Sequence, residues 1–178
     1  LSVMQRSDRA LEQILRDAGL SVRFQMPRAA NDVLQATTAE NVSLIKSIAS
    51  QHLTQVEGLV MRSVQQGRDV GGLAKELEAR YAITRRRAEL IARHQNNLAT
   101  TSIQTVRMQS VGIKQAVWVH SRGGTHKRPS HVKAGEDKVV FEVAKGWFDP
   151  DEGEYIWPGT LINCKCFSRP VLPKLKKV

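Results

Sequence analysis

The sequence predicts an α+β protein: a helical region over residues 1–115, then a small mixed or β module over residues 116–178. Three observations predict it. Before Ala116, apolar residues recur at helical spacing between capping residues and glycines. Beyond it, short runs rich in Val, Trp and Phe alternate with loops rich in Gly and Pro. A chain of 178 residues, 41% of them hydrophobic, also suffices for one core or one core plus a small satellite.

The first helical piece is "SDRALEQILRDAGL", in which Leu11, Ile14, Leu15 and Ala18 form one stripe and Ser7 or Asp8 supplies the N-cap. Gly19 and Pro27 then interrupt the pattern. "AENVSLIKSIASQHLTQVEGLVMRSVQQG" reads as one long helix that ends at Gly67, its stripe running through Leu44, Ile45, Ile48, Ala49, His52, Val56, Leu59, Val60 and Val64. His52 lies within that stripe and reads as a packed, hydrogen-bonded side chain rather than a ligand. Asp69 caps a shorter helix with Leu73, Leu77 and Tyr81 on one side. Thr84 opens a long helix that Gly112 closes, with Leu90, Ile91, Leu98, Ile103 and Val106 on one face and Arg86, Arg93, His94, Asn97 and Thr100 on the other. After this, "AVWVH", "KVVFEV" and "CKCFSRPVL" read as strands, and "SRGGTHKRPS", "AKGWFDPDEGE" and "WPGT" as loops.

Charge narrows the function classes. Lys and Arg number 27 against 17 Asp and Glu, a net charge of +10, and the excess is spread: 16 against 10 over residues 1–115 and 11 against 7 over residues 116–178. Such a surface concentrates polyanions, double-stranded DNA foremost, through the phosphate backbone and without sequence readout. The cations marked for that contact are Arg85 and Arg86, with Lys174, Lys176 and Lys177 of the acid-free C-terminal run. At 5% aromatic content a base-stacking platform is excluded. No apolar run approaches the ~20 residues that cross a bilayer, so the expectation is a soluble, unsecreted protein with no membrane partner. The chain begins with Leu rather than Met and is expected to continue upstream.

The chemistry-bearing residues cluster in two places. "HSRGGTHKRPSH" holds His120, His126 and His131, and "NCKC" holds Cys164 and Cys166, the two cysteines of the chain. Two thiols so close in sequence cannot form an unstrained disulfide with each other, which implies a reducing compartment. Zinc takes four N or S ligands, and the set available is His126, His131, Cys164 and Cys166, with His120 as a substitute for His126. Against zinc, alternate residues of a strand point to opposite faces unless the backbone turns. The competing expectation has no cofactor, one cysteine packed inward and His131 donating to a backbone carbonyl. A zinc deaminase is excluded, since "HVK" lacks the required Glu two residues after His131. A Cys–His nucleophile lacks a marked orienting acid or oxyanion hole. A phosphate-gripping nuclease or metal-dependent hydrolase built on "HKRPSH" stays as the enzymatic alternative to a non-enzyme.

Four segments, "AELIARHQ", "GIKQAVW", "THKRPSH" and "PGTLINCKC", occur in an order and spacing that strongly resemble the Mu-type head morphogenesis family, the minor head proteins of tailed phages and prophages. The resemblance covers residues from about 40 to 172. Departures are His94 and Gln95 where the family has Thr-Glu, Arg128 and His131 where many relatives carry a cysteine pair, and Leu161 in place of a frequent histidine. The resemblance implies a protein of the virion head, present in the host cytoplasm during assembly, with portal, capsid and scaffold proteins as partners and DNA as an occasional one. The expectation drawn from these residues is that the loop 126–131 folds against the strand around 163–167, as a structural latch rather than a reaction centre, formed by Arg128, His131, Trp118, Trp157, Asn163, Cys164 and Cys166.

Overall fold

The computed structural model describes residues 3–17, 28–43, 45–123 and 127–172. Its elements run α1 (Val3–Asp17), α2 (Arg28–Ser43), a 3-10 turn (Ser50–His52), α3 (Leu53–Gln65), α4 (Val70–Tyr81), α5 (Arg85–Ser110), β1 (Gln115–Val119), α6 (Pro129–Glu136), β2 (Val140–Glu142), β3 (Trp147–Asp149), β4 (Glu154–Ile156) and β5 (Phe167–Val171). The protein is α+β, with helices first and small antiparallel sheets after.

The long α5 is the spine on which α2, α3 and α4 pack. Their shared core holds Leu34, Val42, Val56, Val60, Val64 and Leu77 at 1% exposure or less, and each such side chain contributes about 1.5–3 kcal/mol by leaving water. Two caps set the register of this bundle. The Asp69 carboxylate accepts from Gly72 N at 2.9 Å, and Thr84 Oγ1 accepts from Arg87 N at 3.3 Å. At the other end of α5, Gly112 adopts φ +76° and Ile113 N donates to Met108 O, a left-handed stop that turns the chain into β1.

Four expectations change. The stretch from Ala39 to Gly67 is two helices rather than one: after Ser43 the chain turns, Ile45 N donating to Val42 O and Ile48 N to Ile45 O, and α3 starts at Leu53. Asn41 and Ser43 bond back to carbonyls within α2, and the turn lets both Ile45 and Ile48 bury. α1 begins at Val3, so Ser7 and Asp8 lie within the helix rather than at its start; Ala18 and Leu44 fall outside the described residues. The end of the loop "SRGGTHKRPS" opens a helix, α6, with Pro129 at its first turn and Arg128 extended before it, as a residue preceding proline prefers. The "AKGWFDPDEGE" loop contains the β3–β4 hairpin, with Trp147 opposite Ile156 and Asp149 opposite Glu154.

The C-terminal sheet has the order β2-β1-β5, all antiparallel, with Trp118 opposite Ser168. Its inner face buries Ala116 and Trp118 completely. Around them lies a second core of Phe141, Val143, Ile156, Ala134 and both cysteines, which Leu11 and Leu15 of α1 and Met108 of α5 also join. The polar face of α5 meets this module: Asn97 Nδ2 donates to Cys164 O at 3.1 Å and Thr101 Oγ1 to Pro158 O at 3.0 Å.

Two substitutions probe this arrangement. Asp69→Ala is expected to lower stability by about 1 kcal/mol in urea titration, the value of an N-cap. Gly159 has φ +91°, and a Cβ there would meet Thr101 Oγ1 at 3.0 Å and Cys166 O at 3.1 Å. Gly159→Ala is therefore expected to cost roughly 1–3 kcal/mol, read as a lower urea midpoint than that of Gly153→Ala, whose Cβ meets open space at a similar φ.

Candidate functional site

Three segments distant in sequence converge beneath Trp118. α6 supplies His131 from its first turns, β3 ends on Asp149, and the turn before β5 supplies Cys164 and Cys166; all four side chains are buried. His131 Nε2 lies 3.0 Å from Asp149 Oδ2 and donates to it, since an ionised carboxylate only accepts. The other ring nitrogen, Nδ1, is 3.4 Å from Cys164 Sγ and 3.9 Å from Cys166 Sγ. The Trp118 ring stands edge-on to the imidazole at 4.8 Å, and Trp147 lies 4.9 Å from Trp118.

Both sulfurs reach one nitrogen because the backbone turns. Asn163 is left-handed (φ +62°), a conformation asparagine tolerates, Cys164 N donates to Leu161 O, and β5 starts only at Phe167. The two cysteines are thus outside the strand, and strand alternation does not apply to them. Asp149 is held from its other side as well: Oδ1 accepts from Asp151 N at 3.0 Å, while Asp151 Oδ2 accepts from Ser130 N at 3.1 Å and so caps the start of α6.

The electrostatics follow from this packing. A hydrogen bond from the Cys166 thiol lowers the Cys164 value, against burial, and His131 lowers it further. Cys166, donating to Cys164 and buried beside it, is raised. Burial opposes a charge on His131, but Cys164 and Asp149 outweigh it, and its value rises. The arrangement is a cysteine pair, an imidazole and a carboxylate in a row, a set suited to gripping a cation or to arming a nucleophile.

His131 donates to a buried carboxylate, not to the backbone carbonyl anticipated from sequence. Arg128 reaches Glu152 Oε1 at 3.2 Å and Ile162 O at 3.1 Å, clipping the start of α6 to the segment before the cysteines. Trp118 touches the imidazole, whereas Trp157 lies in the same core with its indole N–H donated to Val143 O at 2.9 Å; the second tryptophan near the imidazole is Trp147. Asn163 supplies backbone conformation. His120 is half-buried, its Nδ1 accepting from Arg122 N, and His126 lies outside the described residues. Asp149 and Trp147 are the residues that sequence reasoning missed; the signal available was an acid flanked by aromatic residues in "GWFDPD".

A second feature also escaped the sequence. β1, α6 and β5 line a cleft of about 440 Å³ whose rim carries Arg122, Lys127, Lys138 and Arg169, with Glu136 as its acid. Arg85 and Arg86 are exposed at the start of α5, and Arg85 is engaged by Glu89 at 3.2 Å. Lys174, Lys176 and Lys177 lie outside the described residues.

The profile of the phage Mu protein F-like family matches residues 54–169, from α3 through the cysteine segment into β5. The chain belongs to this family. That makes it a phage head-related protein, and the match takes in the whole buried cluster and the cationic cleft. A Haemophilus influenzae protein described as uncharacterized is 34% identical over 145 residues, 82% of this chain and 31% of that one, so the chain spans about a third of this relative's length. No solved structure matches it. No helix among the described residues is long and apolar enough to cross a membrane.

Removing one member of a buried pair strands the other. Asp149→Ala is expected to cost roughly 3–5 kcal/mol in chemical denaturation, while Arg128→Ala, which breaks a half-exposed contact, costs under about 1 kcal/mol. Cys164→Ser is expected to lower the melting temperature; an unchanged value would mean that the cluster does not hold the module closed.

Proposed function

We propose that this protein is a minor head protein of a phage or prophage, that it takes part in capsid assembly near the portal, and that it touches double-stranded DNA without sequence preference. Its place is the virion head, reached from the host cytoplasm. The observation that carries the DNA part is the cleft with four cations on its rim against one acid, in a chain of net charge +10. A cleft of that sign focuses phosphate, and the scarcity of aromatic residues leaves electrostatics as the source of affinity. The buried cluster serves as the latch that holds α6 and β5, and hence Lys127, Lys138 and Arg169, on one face.

The test is duplex retardation at several salt concentrations, with co-purification of the portal protein as the second arm. Each phosphate contact adds about 0.9 to the slope of log affinity against log salt. Replacing Arg122, Lys127, Lys138 and Arg169 together by Ala is expected to lower that slope by about 3–4, whereas Arg85→Ala with Arg86→Ala lowers it less. An unchanged slope in the cleft variant would refute the cleft as the DNA surface.

A thiol- or metal-dependent hydrolase is the second reading, favoured by the Cys164–His131–Asp149 connectivity. Against it, the opening beside the cluster is only about 20 Å³, room for one water and not for a substrate. Hydrolysis lost in Cys164→Ser with DNA retention intact would favour this reading.

A further inference from the structure

We propose that His131, Cys164 and Cys166 bind one zinc ion, with Asp149 as the partner that orients the histidine. In a tetrahedral zinc site, Zn–S bonds of about 2.3 Å and Zn–N bonds of about 2.05 Å put sulfur and nitrogen roughly 3.6 Å apart. Here Nδ1 stands 3.4 Å and 3.9 Å from the two sulfurs, and the three ligand atoms all lie within 4.8 Å of one another. A hydrogen bond accounts for the 3.4 Å contact, and the second sulfur, 3.9 Å from the same nitrogen, stands where a shared metal would hold it.

Three further observations point the same way. His131 Nε2–H donates to a carboxylate that is 0% exposed, the arrangement by which proteins fix the tautomer that leaves the opposite nitrogen free for a metal. The indole N–H of fully buried Trp118 has no oxygen or nitrogen partner and lies beside the Cys166 sulfur. A buried donor beside sulfur suits a thiolate, the form that binds metal. Finally, the opening of about 20 Å³ borders all three ligands and has room for one water in the fourth position. Two thiolates and one imidazole select zinc over calcium or magnesium.

The ion would join α6 to the segment before β5 across more than thirty residues of chain, strengthening the latch. The inference stands apart from the DNA and portal reading, because metal content is measured without either partner.

The experiment is metal analysis of the reduced, purified wild-type chain, followed by chelator treatment and titration with cobalt(II). One zinc per chain as purified, or saturation at one equivalent of cobalt with tetrahedral visible bands and thiolate-to-cobalt charge-transfer absorption, is the result expected. Cys164→Ser with Cys166→Ser removes the charge transfer, and Asp149→Asn weakens zinc by about 10–100-fold. A wild-type cobalt spectrum that is octahedral and without charge transfer overturns the proposal, as does charge transfer that persists in the double variant. The wild-type spectrum decides even if the variants fail to fold.

Discussion

A carboxylate enters a protein interior only with partners for its charge, and Asp149 has no contact with solvent. Its partners, the His131 imidazole and the Asp151 N–H, come from α6 and from the turn that follows β3. The packing of α6 against the β3–β4 hairpin turns on that pairing. To meet Asp149, His131 must sit in the first turns of α6; to leave room for both sulfurs at Nδ1, the chain at Asn163 must turn left-handed before β5 begins. Trp118, packed edge-on to the imidazole, ties the same cluster to the central strand of the sheet.

Helix α5 carries this order to the rest of the molecule. One face packs into the helical core through Ile91, Ala92, Ala99 and Ile103. Amides do comparable work along its length: Asn96 is fully buried and bonds Ser63, Gln95 donates to Asn41 O at the end of α2, and Asn97 donates to Cys164 O. Each replaces hydration lost on burial with a bond that has one geometry, so the helix joins the two cores at a fixed rotation. Gln95 serves in this way, and half-buried His94 beside it has its value lowered by burial.

Helix periodicity and caps made α4 and α5 legible, because Asp69, Thr84 and Gly112 are local signals that the structure uses locally. The α+β class was legible from the change in residue pattern at Ala116. The break after Ser43 was not, since the apolar period continues across it and the turn that buries Ile45 and Ile48 carries no glycine or proline to mark it. In the cluster, the spacing of His131, Cys164 and Cys166 drew attention to them, whereas Asp149 sits among Asp151, Glu152 and Glu154, and nothing local says which of these acids is buried. The cationic cleft was illegible for the same reason: Arg122, Lys138 and Arg169 become neighbours only through the β1–β5 and β1–α6 packing.

The most direct test of the claim that one buried cluster closes the module is native-state amide exchange of the wild-type protein. If His131, Asp149 and the cysteine segment hold one another, then α6, the β3–β4 hairpin and β5 open together with a single free energy. Exchange from α6 at a much lower opening free energy than from the strands would show that the helix is merely resting on the sheet, and would contradict the account.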